Sequence, residues 1–124
     1  MARAEELLKM EKLSTTEAAT GMVVNGYEIK PGANLEGANF GGVNLKGANL
    51  TNVNFTNANF KRANLEGANF EGSNLKRANF EGANLRSASL MDTNLEGADF
   101  TGANLIHARF RGANLKRTTF TNAN

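Results

Sequence analysis

From Ala33 to Arg62 the chain reads ANLEG ANFGG VNLKG ANLTN VNFTN ANFKR, and the same beat continues to Asn124. One large apolar residue recurs at every fifth position: Leu35, Phe40, Leu45, Leu50, Phe55, Phe60, Leu65, Phe70, Leu75, Phe80, Leu85, Leu90, Leu95, Phe100, Leu105, Phe110, Leu115 and Phe120. These eighteen centres account for every Leu and Phe of residues 33–124 and for all eight Phe of the protein. An amphipathic helix repeats at about 3.6 residues and a half-buried strand at about 2, so an unbroken period of five fits neither. A short extended segment that turns at every repeat does fit it. Within such a segment the centre and the residue two before it share a face. That earlier position is Ala except at Val43, Val53, Ser73, Thr93 and Thr118, and it never exceeds Val in size, as a narrow interior requires. The residue between the two points outward and is Asn in fourteen of the eighteen units. The pair after the centre is mostly polar or Gly, as in Glu36-Gly37, Lys46-Gly47 and Lys61-Arg62, which suits a corner. Gly and Asn supply the positive φ that corners need, and Asn also hydrogen-bonds turn backbone.

The order of centres sets the number of units per turn. With four units to a turn, residues twenty apart stack in one column. Phe40, Phe60, Phe80, Phe100 and Phe120 then form a pure Phe column, and Leu45, Leu65, Leu85 and Leu105 a pure Leu column. Three units to a turn would mix the two in every column. Coils spaced by about 4.8 Å make a rod of roughly four and a half turns, about 20–25 Å long.

Eighteen tandem copies of this unit resemble the pentapeptide-repeat family, whose consensus is A-(D/N)-L-x-x, over residues 33–124. The resemblance implies an all-β solenoid, a right-handed quadrilateral parallel β-helix. The right-handed preference of parallel crossovers agrees with that hand. Short proteins of this kind are numerous in cyanobacteria.

Residues 1–32 are expected to form an N-terminal cap, and 33–124 the β-helix. Arg3–Leu13 are good helix formers, with Ala4, Leu7 and Leu8 as an apolar stripe. Ser14 and Glu17 have capping-box spacing, and Gly21 could close a short second helix. Asn25-Gly26 between the apolar triplets MVV and YEI is a hairpin signal, so Met22–Pro31 is expected to cover the first coil, with Ile29 or Tyr27 plugging it. At the other end Phe110, Leu115 and Phe120 lie in the last rung, and a rung with unpaired backbone is a template for another chain. Two resolutions are open: the last repeats fray and the stable rod stops near Leu105, or two copies dock there, the homodimer through the C-terminal end that the family resemblance implies.

The same residues narrow the function classes. Fourteen Lys and Arg against twelve Asp and Glu give a net charge of +2, too balanced to imply a nucleic-acid or membrane partner. With no Cys and one His, a Cys/His metal cluster is excluded. That His107 follows Leu105 by two and is expected on a solvated corner. Glu36, Glu66, Glu71, Glu81 and Glu96 are dispersed among Lys and Arg, and none forms a secluded pair for acid–base work. The glycines fall at corners and none opens a helix, so no phosphate loop is expected. Thr51, Thr56, Thr101 and Thr121 do not share one face, which argues against an ice-binding array. No catalytic, cofactor or metal site is expected. The N-terminus lacks the apolar run of a signal peptide and no stretch could cross a bilayer, so the cytoplasm is the expected compartment.

Some members of the family that this chain resembles protect DNA gyrase from quinolones by imitating the acidic surface of DNA. Here residues 33–124 carry ten Lys or Arg against seven Asp or Glu, and one corner runs Glu36, Thr56, Lys76-Arg77, Glu96, Lys116-Arg117. Alternating charge does not make a negative stripe, so topoisomerase regulation by mimicry is the second reading. The first is a non-catalytic protein-interaction or scaffold module with a protein partner. Its candidate surface is where the pattern breaks: Met91 and Ile106 at corner positions otherwise polar or Gly, Arg109 in place of the outward Asn, Arg111 beneath Met91, and His107 beside them, over two adjacent faces.

Overall fold

The computed structural model describes residues 22–124. It opens with a hairpin of β1 (Met22–Val24) and β2 (Tyr27–Ile29), paired antiparallel with Met22 opposite Ile29. Asn25 and Gly26 between them take φ of 51° and 82°, the two positive angles that a tight two-residue hairpin loop demands. Ile29 and Met22 are buried, and the Tyr27 ring packs on Phe40 with centroids 5.2 Å apart. Both residues named as candidate plugs therefore face the first coil. The Asn25 side chain ties the hairpin to that coil by donating to the Asn39 carbonyl at 3.1 Å. The helices expected before Gly21 lie outside the described residues.

From Asn34 onward the backbone forms single-residue parallel bridges between positions twenty apart, from Asn34↔Asn54 through Asp99↔Thr119. Four five-residue units thus carry the chain once around. Where a coil lies below, the centre's amide donates to it, as Leu35 does to the Asn54 carbonyl at 2.7 Å, and where one lies above, the outward residue's amide reaches back up, as Asn54 does to Ala33 at 3.0 Å. All but two corners, Leu50–Val53 and Leu90–Thr93, are turns closed by the amide three residues after the centre, as from Ala38 to Leu35 at 3.1 Å. The third residue of each corner has positive φ, the requirement of a type II turn. Sequence reasoning assigned that conformation to Gly and Asn. The structure imposes it equally on Arg62, Arg77, Ser87, Asp92, His107 and Arg117, with φ between 56° and 63°. Corner geometry is therefore dictated by the coil, and the residue accepts the cost, about 1–2 kcal/mol for a side chain with a Cβ.

The four faces are named here by their first centres: Leu35, Phe40, Leu45 and Leu50. Inward Ala and the centres fill the interior, and from Phe40 through Phe100 every centre except Leu45 is 0% exposed. On the Phe40 face the rings stack almost parallel, with centroids 5.3, 5.1, 4.8 and 5.3 Å apart from Phe40 down to Phe120. Phe55 and Phe70 meet that stack edge-on, the arrangement the ring quadrupole favours. Ser73, one of the few polar inward residues, is satisfied inside the wall. Its hydroxyl donates to the Leu50 carbonyl at 2.7 Å and accepts from the Val53 amide at 2.9 Å, threading itself into the turn above.

Outward Asn residues hold the corners. The Asn34 side-chain oxygen accepts from the amide two residues on, and the same bond recurs unit after unit. Several also link coils, as Asn59 does by donating to Asn39 at 3.1 Å.

Candidate functional site

The walls leave side-chain variation only on the outside. Ion pairs run along the corners from coil to coil: Lys46–Glu66 at 3.7 Å, Lys61–Glu81 at 3.2 Å, and Arg117 with Glu96. The Arg117 guanidinium hydrogen-bonds the Glu96 carboxylate and, with Lys76 and Lys116 nearby, holds it below the usual carboxylate range against a smaller upward push from desolvation. Among the described residues, no group of His, Asp and Glu is arranged to hold a metal ion, and no helix is long and apolar enough to cross a membrane. A shallow, open depression at the corner between the Leu50 and Leu35 faces is lined by Thr51, Asn52, Glu71, Gly72 and Asp92.

The residues singled out by the broken pattern gather around one face. Arg109 stands in the outward column of the Leu50 face, bridged to Ser89 above it. Ile106 and His107 form the corner leading into that face, and Arg111 the corner leading out of it. The Arg111 guanidinium reaches up to the Met91 sulfur, 4.0 Å away, so those two do stack. Ile106 is 39% exposed and Met91 half-buried, while His107, Arg109 and Arg111 are exposed. Sequence reasoning spread this group over two adjacent faces; the structure sets it on one face and its two edges.

At the C-terminal end Phe110 remains half-buried, held edge-on against Phe100 and Phe120 at 6.0 Å each. Leu115 and Phe120 are exposed, at 40% and 39%. The amides of Phe110, Leu115 and Phe120 have no acceptor among the described residues.

The family profile described as Pentapeptide repeats (8 copies) matches residues 32–67, 63–102 and 88–124. The chain belongs to the pentapeptide-repeat family. Among solved pentapeptide-repeat structures it is similar to HetL from the cyanobacterium Nostoc sp. strain PCC 7120, a protein involved in heterocyst differentiation regulation. The TM-score is 0.64, with 30% identity over 85% of this chain and 44% of HetL. It therefore spans less than half of that protein's length. Rfr23 from the cyanobacterium Cyanothece 51142 is 27% identical over 94% of this chain and 93% of its own, with a TM-score of 0.37. QnrB1, a plasmid-mediated fluoroquinolone resistance protein, is 22% identical over 77% of this chain and 62% of its own, with a TM-score of 0.46. No curated protein matches the chain.

One residue escaped the sequence reading. Ser89 replaces the outward Asn directly above Arg109, and it is only 5% exposed. A polar-for-polar exchange raises no alarm by composition. The signal was positional: the four departures from Asn fall in two columns, Ser89 with Arg109 and Asp99 with Thr119, and only the first pair has neither a carboxyl nor a carboxamide oxygen.

Proposed function

We propose that this chain is a non-catalytic protein-interaction module built as a right-handed quadrilateral β-helix of roughly four and a half coils, with residues 1–32 as its N-terminal cap and 33–124 as the coils. The observation that carries the reading is the Leu50 face. Its edges exchange polar corner residues for Met91 and Ile106, next to Arg109 and Arg111, and exposed apolar and Arg side chains together are the chemistry of interface hot spots. A filled interior supports the non-catalytic part, because a reaction site needs a concave pocket. The test is affinity capture from the native host, comparing wild type with the combined variant Met91→Thr, Ile106→Thr, Arg109→Asn, Arg111→Thr. A control pair, Lys61→Thr with Glu81→Thr, sits on another corner. A protein kept by the control and lost by the patch variant is expected. Identical captured sets from all three would refute the surface assignment.

A second copy is a candidate occupant of the last rung, through the exposed Leu115 and Phe120 and the unpartnered amides beside them. Docking identical rungs is what a closed two-fold dimer requires. Residues 105–124 carry Arg109, Arg111, Lys116 and Arg117 and no acidic side chain, so self-docking also juxtaposes like charges. Such a dimer strengthens as salt screens the repulsion. Sedimentation at low and high salt reads this directly, and a monomer at both, at high micromolar concentration, removes the homodimer. Topoisomerase mimicry is the alternative from another class. The coil-to-coil ion pairs oppose it, and potent inhibition of gyrase supercoiling would revive it.

A further inference from the structure

On the Leu50 face two successive corner amides of one column lack the acceptor that the outward Asn supplies elsewhere. On the Leu35 and Leu45 faces, Asn stands at every outward position and its oxygen takes the corner amide two residues on, at 3.0–3.3 Å. On the Phe40 face Asp99 does the same for Thr101 at 2.9 Å. The Leu50 face begins likewise, with Asn49 serving Thr51 and Asn69 serving Glu71. Then the column changes to Ser89 and Arg109. The Ser89 hydroxyl, a weaker partner for the amide two residues on than an Asn carboxamide, makes no hydrogen bond to it, and an Arg has no acceptor to offer. Accordingly the Met91 and Arg111 amides have no acceptor among the described residues, one coil apart on the same corner.

Three further observations converge there. The Ser89 hydroxyl is buried without a hydrogen-bond partner. The turn from Leu90 to Thr93 is closed by the Thr93 hydroxyl, donating to the Leu90 carbonyl at 2.7 Å, rather than by the Thr93 amide. Arg86, Arg109 and Arg111 border the spot and make no ion pair among the described residues. Carboxylates are close enough to matter: Glu66 is engaged by Lys46, Glu71 lies one coil above Met91, and the Asp92 side chain lies over Gly112. None of them supplies the missing acceptor.

We infer that this stretch of the Leu50 face is an oxyanion site, suited to a phosphate group. Its oxygens would occupy the places that the Asn carboxamides fill elsewhere. They would accept from the Met91 and Arg111 amides and the Ser89 hydroxyl, with the three Arg supplying charge. Oriented backbone amides beside guanidinium groups are the usual means of holding such an anion. The inference does not depend on the protein-interaction reading, because it is tested with inorganic phosphate alone.

The experiment is an amide-resolved NMR titration of the full chain with phosphate against chloride at constant ionic strength. Saturable shifts are expected at Met91 and Arg111. Thr121 is the internal control, since Thr119 leaves its amide without an acceptor but no Arg stands beside it in that column. The double variant Ser89→Asn, Arg109→Asn restores the repeat's own acceptors, so it should fold at least as well and bind phosphate roughly tenfold more weakly or worse, as loss of charge-assisted bonds implies. A phosphoserine peptide forms the second arm. Tighter binding of the peptide than of free phosphate places the group on a modified protein, and equal or weaker binding assigns a free anion; either upholds the site. Shifts no larger than at Thr121, or an unchanged response in the double variant, overturn it.

Discussion

Replacing Phe80 by Ala probes the interior at its most constrained point. The ring is fully buried, stacked on Phe60 at 5.1 Å and Phe100 at 4.8 Å within 4° of parallel, and met edge-on by Phe70 at 5.8 Å. Truncating a buried Phe costs about 3–5 kcal/mol through lost transfer energy and the cavity left behind. Aromatic pairs add about 0.5–1.5 kcal/mol each beyond area, and three pairs vanish here, so the upper end of that range is expected. Relaxation cannot offset much of it, because coils above and below are pinned by backbone bonds on all four faces. Since domains are stable by only about 5–15 kcal/mol, Phe80→Ala is expected to bring the rod close to unfolding. Phe80→Leu, which keeps most of the volume, should lose about 1–2 kcal/mol and remain measurable. Two comparisons sharpen the reading. Phe120→Ala, at the exposed foot of the same column, should cost far less. Glu81→Ala, one residue along and paired only with Lys61 at the surface, should cost under about 0.5 kcal/mol. Urea unfolding followed by far-ultraviolet circular dichroism supplies all four values. Equal losses at Phe80 and Glu81 would show the inward and outward assignment to be wrong, and equal losses at Phe80 and Phe120 would refute the cavity argument.

Other outcomes follow from the walls. Ser87 holds φ of 60° at a corner with no side-chain hydrogen bond among the described residues, so Ser87→Gly should stabilise by up to about 1 kcal/mol, seen as a raised denaturation midpoint. Asn59→Ala removes the acceptor of the Lys61 amide at 2.9 Å and the donor to Asn39 at 3.1 Å, and should cost about 1–2 kcal/mol in the same assay. Arg117→Gln should let the Glu96 carboxyl rise toward its ordinary value in an NMR titration. Its depressed value means the contribution it makes to stability is full above the ordinary carboxylate range and is lost as pH falls from there through the depressed value.

How much of this was legible depended on whether side-chain volume or side-chain reach carried the information. The five-residue spacing of Leu and Phe, and the pure columns at twenty, give the coil length because burial selects for size, and size is visible in a letter. Asn25-Gly26 announced the hairpin because few residues tolerate two positive φ angles in succession. The corner conformation of Arg62, Arg77 and His107 was not legible, since nothing in an Arg or His predicts a left-handed backbone that the neighbouring coils impose. Ser89 was not legible for a subtler reason. Its consequence lies in a bond it fails to make, to the Met91 amide two residues on, and that appears only when every donor in the column is matched to an acceptor. Met91, Ile106, His107, Arg109 and Arg111, the proposed patch, stand out in the sequence by departing from its pattern, but their grouping around one face needed the coil geometry.

The hydrogen bonds between coils all run along the rod, and this gives the molecule a mechanical character. A force that draws the two ends apart along the axis loads one coil's bonds at a time, whereas a sideways force must shear many together. Axial stretching should therefore unspool the chain in steps of one coil. Each step frees twenty residues. At about 3.3–3.6 Å per extended residue, less the coil spacing of about 4.8 Å, that is an increment of roughly 60–67 Å.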